Sequence, residues 1–585
     1  MTEFHFSPRP NRAGEIRWQP WSPPAFERAV REDKPVLLAI SAVWCHWCHV
    51  MDETTYSDER VIAAINEHFV PVRVDNDVRP DINARYNMGG WPTTAFLAPD
   101  GMTITGATYL PAPDMLRALD EIAGFYAANK QTIAQRATEL RERRRSYRPA
   151  QRDELQESAI SAFADDLAQA YDSEYAGFGQ APKFPQPEML EFLLGEHRLN
   201  GDAKLLEMVR ATMHAMACGG MYDHVEGGFF RYSTTRDWSV PHFEKMSEDH
   251  AGLLRVLSQL AMLCDEPWIA QTLGSAAAYV RDVLRDPQTG FFAGSQDADE
   301  TYFAGTAEER RAMTAPLVDR RSYSNWTAGL AGAGFAVARA LAMPAIARRA
   351  EVTLDAMHGN LIDDDGLLYH LAAPGQVPEV RGLLGDQVAY VRACIDAHEA
   401  GGEARFLDRA QAIADRVIER FAAPDGGFYD RLPLEGELGN LTIVDRPVVD
   451  NGLFADALLR LWALTEKDVY REAGERTLLL YAKTFAGAGA FASPYVRALR
   501  RLLTPAASLR IVGNPEETAR LRDAAHALNA ALLSIRTVAP DAAGALGLPT
   551  APSPAAYACV GTTCGAPVSD PEGLRAAYAA LKTAS

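Results

Sequence analysis

Pro35-Val-Leu-Leu-Ala-Ile-Ser-Ala-Val-Trp44-Cys45-His46-Trp47-Cys48-His49-Val50-Met51 passes from an apolar run directly into helically spaced apolar residues. A Cys-x-x-Cys at such a junction places Cys45 at a helix N-terminus, where unpaired N–H groups and the positive dipole end favour a thiolate. Cys45 is therefore expected to be the nucleophile and Cys48, one turn on, the resolving thiol. Trp44 stands directly before the pair. His46 stands inside it, which is expected to stabilise the thiolate and make the couple more oxidising. Cys45, His46, Cys48 and His49 are also metal-ligand types, but one helical turn cannot wrap all four around a tetrahedral ion. No metal and no cofactor is expected.

The flanks extend this reading. Pro24–Arg31 reads as a short helix, Pro35–Ser41 as a strand, and Val61, Ile62 and Ile65 recur at helical spacing. Phe69–Asp75 reads as a second, central strand. Trp91-Pro92-Thr93-Thr94 opens a third, Thr103–Tyr109 is an edge strand, and Ala112–Ala127 a closing helix. This βαβ-then-ββα order, with Trp44-Cys45-x-x-Cys48 and Trp91-Pro92, resembles the thioredoxin fold. The resemblance implies that Pro92 is a cis proline facing the cysteines.

At 585 residues the chain exceeds one core and must divide. The expected division is 1–130 thioredoxin-like, 131–150 a helical linker, 151–504 a helical region and 505–585 a small α/β region. A net charge of −19 argues against nucleic acid or an anionic membrane as partner. The most apolar stretch, Leu330–Met343, is broken by Arg339 and is too short to span a bilayer. No basic-then-apolar leader opens the sequence. Seven cysteines, an odd count, fit a reducing compartment, so a cytoplasmic location is expected.

In the long middle region a Gly-aromatic or Gly-apolar element recurs at Gly177, Gly228, Gly290, Gly366, Gly427 and Gly489, at intervals of 51, 62, 76, 61 and 62. Helical patterns flank each copy, joined by long links within a pair and very short links between pairs. Six helical hairpins with all long loops at one end predict an (α/α)6 toroid around a cup; an open solenoid is the alternative. His224, His242, Glu244, Lys245, Asp297 and Asp299 lie on the loops expected to converge there. Carboxylates and histidine are the usual acid/base groups for sugar chemistry. The same residues could equally serve as turn formers or as a structural Glu-Lys pair.

Two sets of motifs agree with one family. Lys34-Pro35, Trp44–Met51, Arg79-Pro80-Asp81 and Gly89-Gly-Trp-Pro92 form the first set. Ala181-Pro-Lys-Phe-Pro185, Tyr222-Asp-His224, Gly227-Gly-Phe229, Arg231-Tyr-Ser233, Pro241-His-Phe-Glu-Lys-Met246 and Asp297-Ala-Asp299 form the second. The chain resembles the spermatogenesis-associated protein 20 family, which implies a thioredoxin-like domain joined to a six-hairpin glycosidase-like toroid and carries no established substrate. It departs from that pattern at Ser247-Glu-Asp-His250, where the family has Leu-Tyr-Asp-Asn, and at Ser324-Asn-Trp326.

The tail reads as strands at 508–513, 530–538 and 555–560, with helices beginning near Asn514 and Pro571. Its Cys559 and Cys564 could close a disulfide, bind a metal or exchange electrons with Cys45 and Cys48. Three functions follow: a thiol-disulfide redox protein whose cup binds a carbohydrate-like or protein client, a hydrolase or 2-epimerase acting on carbohydrate in the cup, or a non-catalytic binding or chaperone-like protein.

Overall fold

The structure, a computed structural model, describes residues 4–146, 154–434, 436–549, 551–561 and 563–584. The end of the expected linker and the start of the first toroid helix fall in 147–153, outside the described residues. Two units are present. One contains Met1–Pro149, Ser295–Asp319 and Arg431–Asp445; the other contains Ala150–Gly294, Arg320–Asp430 and Arg446–Ser585.

The first unit is built on four strands, β1 (Val36–Ser41), β2 (Val70–Asp75), β3 (Thr93–Leu97) and β4 (Thr103–Ala107), in the order β2-β1-β3-β4. β1 runs parallel to β2 and antiparallel to β3, and β3 antiparallel to β4. Side chains alternate between faces, so a central strand with both faces covered must be apolar throughout. Leu37 and Ala39 face a core with Met51, Val61, Ile65, Phe69 and Phe96. Val36, Leu38 and Ile40 face another with Phe26, Val70, Val72, Ile82 and Leu97. Helix α1 (Pro23–Glu32) leads in, α2 (His46–Glu53) carries the cysteines, α3 (Glu59–His68) and α4 (Pro80–Tyr86) follow, and α5 begins at Ala112. α5 runs on to Ser146 past a break at Asn129, longer than its apolar pattern suggested, and most of the described side chains just beyond that break face water.

The segments Ser295–Asp319 and Arg431–Asp445 are distant in sequence from this sheet, and the expected division placed them with the toroid. Leu441 completes the second core. Asn440 N–H donates to the Tyr86 hydroxyl (2.7 Å), which donates to the Gly101 carbonyl (2.7 Å). Gly101 and Gly439 meet backbone to backbone. A Cβ on Gly101 would lie 2.6 Å from the Gly439 Cα, and both residues have positive φ.

Among the described residues, the toroid of the second unit is built from twelve helices in six hairpins. The inner members are Pro187–Asn200, Ser247–Ala261, Ser324–Ala340, Leu384–Gly401, Val448–Thr465 and Ser493–Leu503. Each packs on the next, and the last packs on the first, so the ring closes as a toroid and the open solenoid is excluded. The repeated loop element has one physical job. After an outer helix the chain turns through glycine at positive φ and bridges back antiparallel, as in Tyr171↔Phe178, Tyr222↔Phe229, Arg285↔Phe292, Ile362↔Leu368 and Ala422↔Phe428. The bridging aromatic or leucine is buried each time, so these residues are core rather than stacking surface. At Gly228 a Cβ would fall 2.6 Å from the Tyr279 ring. The sixth copy differs: Gly489 lies within an irregular 3-10 stretch, Phe485–Ala492.

One side chain near the start of three inner helices accepts the bridging residue's N–H: His250 Nε2 from Phe229 (2.9 Å), Gln387 Oε1 from Leu368 (2.9 Å) and Asn451 Oδ1 from Phe428 (2.7 Å). His250, where the family pattern has Asn, therefore does an amide's work. Its Nδ1 lies 2.6 Å from the Met246 carbonyl, which assigns the proton to Nδ1 and leaves Nε2 as acceptor. Burial lowers its pKa from the ordinary 6.5 to about 4. Between those values the unfolded chain binds the proton that the folded state refuses, so stability falls as pH drops from 6.5 towards 4. His250→Asn is expected to flatten that part of the stability–pH curve, read by thermal melts across pH 4–7.

The last part of this unit reproduces the topology of the first sheet. Strand Ala507–Val512 is parallel to Ser534–Val538 and antiparallel to Ala555–Val560, which pairs antiparallel with Thr563–Cys564. A cis X-Pro bond precedes the third strand in both sheets, at Trp91-Pro92 and Ser553-Pro554. The tail is thus a second sheet of thioredoxin-like order, without cysteines at the start of its first helix. Cys559 and Cys564 are bonded to each other across their hairpin.

Candidate functional site

Cys45 caps the N-terminus of α2, its sulfur accepting from the Cys48 N–H at 3.2 Å, and a disulfide joins the two cysteines. Trp44, directly before the pair, is held by its indole N–H donating to Asp77 Oδ2 at 2.7 Å. Trp91 packs edge-on against Trp44 at 5.5 Å, and the bond from Trp91 to Pro92 is cis, as the resemblance implied. Both cysteines are only 3% exposed, whereas Trp47 is 47% exposed and His46 half-buried. The buried face of α2 carries two polar residues, Asp52, which sequence reasoning did not single out, and His49, which it weighed only as a metal ligand. Asp52 takes two 2.8 Å bonds from Arg73 on β2, a buried bidentate pair. His49 Nδ1 lies 3.7 Å from Asp297 Oδ2. Burial first, then the positive potential of His5, His46 and Arg73, pushes His49 down to about 3, so the imidazole is neutral.

Of the residues expected in the cup, Asp297 and Asp299 belong to the first unit instead. Asp297 lies against His49 on the cysteine helix. Asp299 caps the short helix Glu300–Ala304, accepting from the Tyr302 N–H (2.9 Å). Local spacing does not record which core a long loop joins, so both were misplaced. Lys245 is fully buried and bonded to Asp223 Oδ2 (2.7 Å) and the Gly227 carbonyl (2.8 Å), holding the second Gly-aromatic loop. His224 is exposed, with Nε2 3.2 Å from the Gly219 carbonyl, and pairs with none of the other candidates.

His242 and Glu244 do come together, with His242 Nδ1 2.9 Å from Glu244 Oε1 and Arg231 Nη1 3.7 Å from Glu244 Oε2. Tyr232 stacks on the His242 ring at 4.9 Å, and Phe184 on Tyr232 at 4.8 Å, forming an aromatic shelf with Phe184 exposed. The strongest acid/base groups are ones the sequence reading passed over, although Glu248 and Asp249 fall in the departing Ser247–His250 stretch. They lie at the starts of the inner helices. Asp249 is pushed up to about 8 by burial, opposed by Arg231 and reinforced by Glu248 and Glu244. One of its oxygens is buried with no hydrogen-bond partner among the described residues. Asp450 is pushed up to about 6 by burial, then by Asp430, Asp386 and Glu248. Asp386 in turn orients His370, whose Nδ1 lies 2.9 Å away. Among the described residues no group of three or more His, Cys, Asp or Glu is arranged to hold a metal.

These features define a two-module class: a thioredoxin-like unit with a capped Cys-x-x-Cys, in one chain with a closed six-hairpin toroid. Residues 9–144 match the family Thioredox_DsbH, described as "Protein of unknown function, DUF255". The resemblance to spermatogenesis-associated protein 20 holds over about half of the chain: the mouse protein is 36% identical over 307 residues, 48% of this chain and 39% of its own length. The aligned stretch thus spans about two fifths of that relative. A shorter match, 30% identical over 92 residues, 15% of this chain and 16% of its own, is to the thiol:disulfide interchange protein DsbD of Campylobacter jejuni strain RM1221. Among solved structures, cellobiose 2-epimerase from Bacillus thermoamylovorans B4167 aligns over 56% of this chain and 88% of its own at 12% identity and a TM-score of 0.46. The toroid assignment rests on the ring closure above. No helix among the described residues is long and apolar enough to cross a membrane.

Proposed function

We propose that this protein exchanges thiols and disulfides through Cys45 and Cys48, with the toroid binding a carbohydrate-like or protein client. The observation that carries this reading is the Cys45–Cys48 disulfide at the N-terminus of α2. The likeness to a protein named for thiol:disulfide interchange points the same way. In the reducing direction the Cys45 thiolate attacks a client disulfide, forming a mixed disulfide and releasing one client thiolate. Cys48, deprotonated, then attacks Cys45 Sγ. The second client thiolate leaves and the intramolecular disulfide forms, so two electrons pass from the dithiol to the client. A thiol reductant restores the pair. A cytoplasmic location belongs to the proposal: Cys218, Cys264 and Cys394 are unpaired, as suits a reducing compartment.

Thiol trapping across glutathione and dithiothreitol buffers, in a Cys559→Ser/Cys564→Ser background, tests it. A two-thiol transition is expected, at a potential above the roughly −270 mV of thioredoxin because of His46. An unchanged thiol state between about −120 and −320 mV would sink the reading.

A second reading, acid/base chemistry on a carbohydrate-like client in the cup, is favoured by Asp249 and Asp450. A carboxyl that titrates near neutrality can donate a proton where an ordinary carboxylate cannot. Asp249 binds its proton more tightly folded than unfolded, so the native state loses stability as pH rises from about 4 to about 8. Asp249→Asn is expected to remove that slope and raise Tm at pH 8. On this reading it also abolishes any turnover that survives Cys45→Ser. An unchanged melting curve at pH 8 would refute the protonated state.

A further inference from the structure

At the end of the toroid away from the long loops, the inner helices finish around a partly open cavity of about 280 Å³ bordered on one side by the segment Ala525–Ile535. Seven arginines line it against four carboxylates, Glu191, Asp396, Glu399 and Asp456. Most of the arginines are spoken for. Arg255 and Arg460 share Asp396 at 2.7 and 2.8 Å, and Arg501 binds Asp456 at 2.7 Å. Arg198 and Arg339 are different: neither has a carboxylate within ion-pair distance among the described residues. Arg198 bonds only neutral oxygens, those of Leu194, Asn529 and Gln259. Arg339 donates to His526 Nδ1 at 3.0 Å, a nitrogen left as acceptor because His526 Nε2 donates to the Glu399 carbonyl at 2.9 Å. A third guanidinium is half used. Arg497 Nη1 meets Glu188 and Glu191 at 2.9 Å each, while its Nε and Nη2 are buried without hydrogen-bond partners.

Arg339 is exposed at the cavity rim and Arg198 half-buried, so both guanidinium groups are open to a ligand, while the buried unsatisfied N–H groups of Arg497 are costly to leave unpaired. Desolvation pushes Arg198 and Arg339 below the ordinary arginine value, opposed by Glu191 for Arg198 and by Asp396 and Glu399 for Arg339, and reinforced more weakly by a neighbouring arginine in each case. Guanidinium forks match tetrahedral and planar oxyanions in geometry. We propose that this cavity binds a small multivalent oxyanion of the phosphate class, through Arg198, Arg339 and the free edge of Arg497. The helix Ala519–Ala527 and the loop after it, which carry His526 and Asn529, form one wall. The cavity is larger than an inorganic phosphate needs, so a phosphate ester fits the same chemistry. The site shares no residue with either site described above, so its failure would leave the redox proposal untouched.

The test uses the full chain. Equilibrium dialysis with radiolabelled inorganic phosphate, and thermal melts in phosphate, glycerol 3-phosphate or chloride at equal ionic strength, read the site directly. One phosphate per chain is expected, with a saturable rise in Tm of at least about 2 °C over chloride. A larger rise with glycerol 3-phosphate would identify an ester as the ligand. Arg198→Gln/Arg339→Gln is expected to weaken binding at least tenfold. No bound phosphate, and melts identical in all three salts, would overturn the proposal. The carbonyl ends of the six inner helices would then already balance the arginines. If the variant fails to fold, dialysis on the wild-type chain alone decides.

Discussion

Lys245→Met is expected to destabilise the toroid by about 3–5 kcal/mol, the usual effect of stranding one member of a buried ion pair. The side chains of Lys245 and Asp223 are 0% and 1% exposed, and the Lys245 Nζ sits 4.4 Å from the Tyr279 ring centre and 5.2 Å from that of Phe230. Removing the cation leaves the Asp223 carboxylate facing aromatic rings, with the Val225 N–H (3.0 Å) among the donors it keeps. The double variant Lys245→Met/Asp223→Asn should recover most of the loss, because two uncharged groups of similar size can pack there. Denaturant unfolding followed by tryptophan fluorescence measures it, taking the toroid's transition separately since a chain of this size need not unfold in one step. Single and double variants that are equally unstable would show that Lys245 acts through something other than Asp223. The same device holds the first loop, where Lys183 binds Asp172 at 2.9 Å and Arg236 adds a second cation. Lys245 is a strut for the Gly-aromatic loop, which removes it from the list of acid/base groups.

Cys45→Ser is expected to abolish thiol-disulfide exchange, by on the order of 10³-fold or more, since serine cannot supply a nucleophile at neutral pH without an activating base. Cys48→Ser should behave differently. It retains the attacking sulfur but cannot resolve the intermediate, so mixed disulfides with clients should accumulate and be visible on non-reducing gels. The asymmetry is the informative part. Cys45 is the residue whose backbone opens α2 and whose sulfur meets the helix N–H groups, whereas Cys48 lies inside the first turn. Equal trapping by both variants would mean that the assignment of nucleophile and resolving thiol is wrong. Because both sulfurs are almost fully buried, exchange should be faster with a small thiol than with a folded protein, and the rate should rise under conditions that loosen the surrounding loops.

Much of the candidate redox site was legible because its signals are local. Cys-x-x-Cys at a strand-to-helix junction and Trp-Pro before a strand are spacings of a few residues, and geometry follows from them directly. The cup was harder. His242 and Glu244 are two apart and were found, while Asp249 and Asp450 are ordinary-looking acids at helix starts. Their shifted protonation depends on the protein packed around them and, for Asp450, on Asp430 of its own loop and on Asp386 and Glu248 arriving from two other hairpins. Burial of that kind has no spacing. The paired cysteines of the tail were noticed, but the topology they sit in was not, because strand order is a property of pairing rather than of pattern.

The amino-acid order alone determined the inventory: four strands with a capped cysteine pair, and six helical hairpins separated by a glycine-bearing loop. Periodicity of 2 or 3.6 residues and the positive φ that glycine permits are properties of a few neighbours, and they survive in any tertiary context. Tertiary structure decided which core each long loop serves. Ser295–Asp319 and Arg431–Asp445 leave toroid hairpins yet belong to the first unit. There Leu441 fills the sheet's second core and Asp297 meets the histidine beside Cys48. That choice is made by which apolar surface a loop can cover and which buried polar group it can satisfy, and both depend on surfaces assembled from residues hundreds of positions apart.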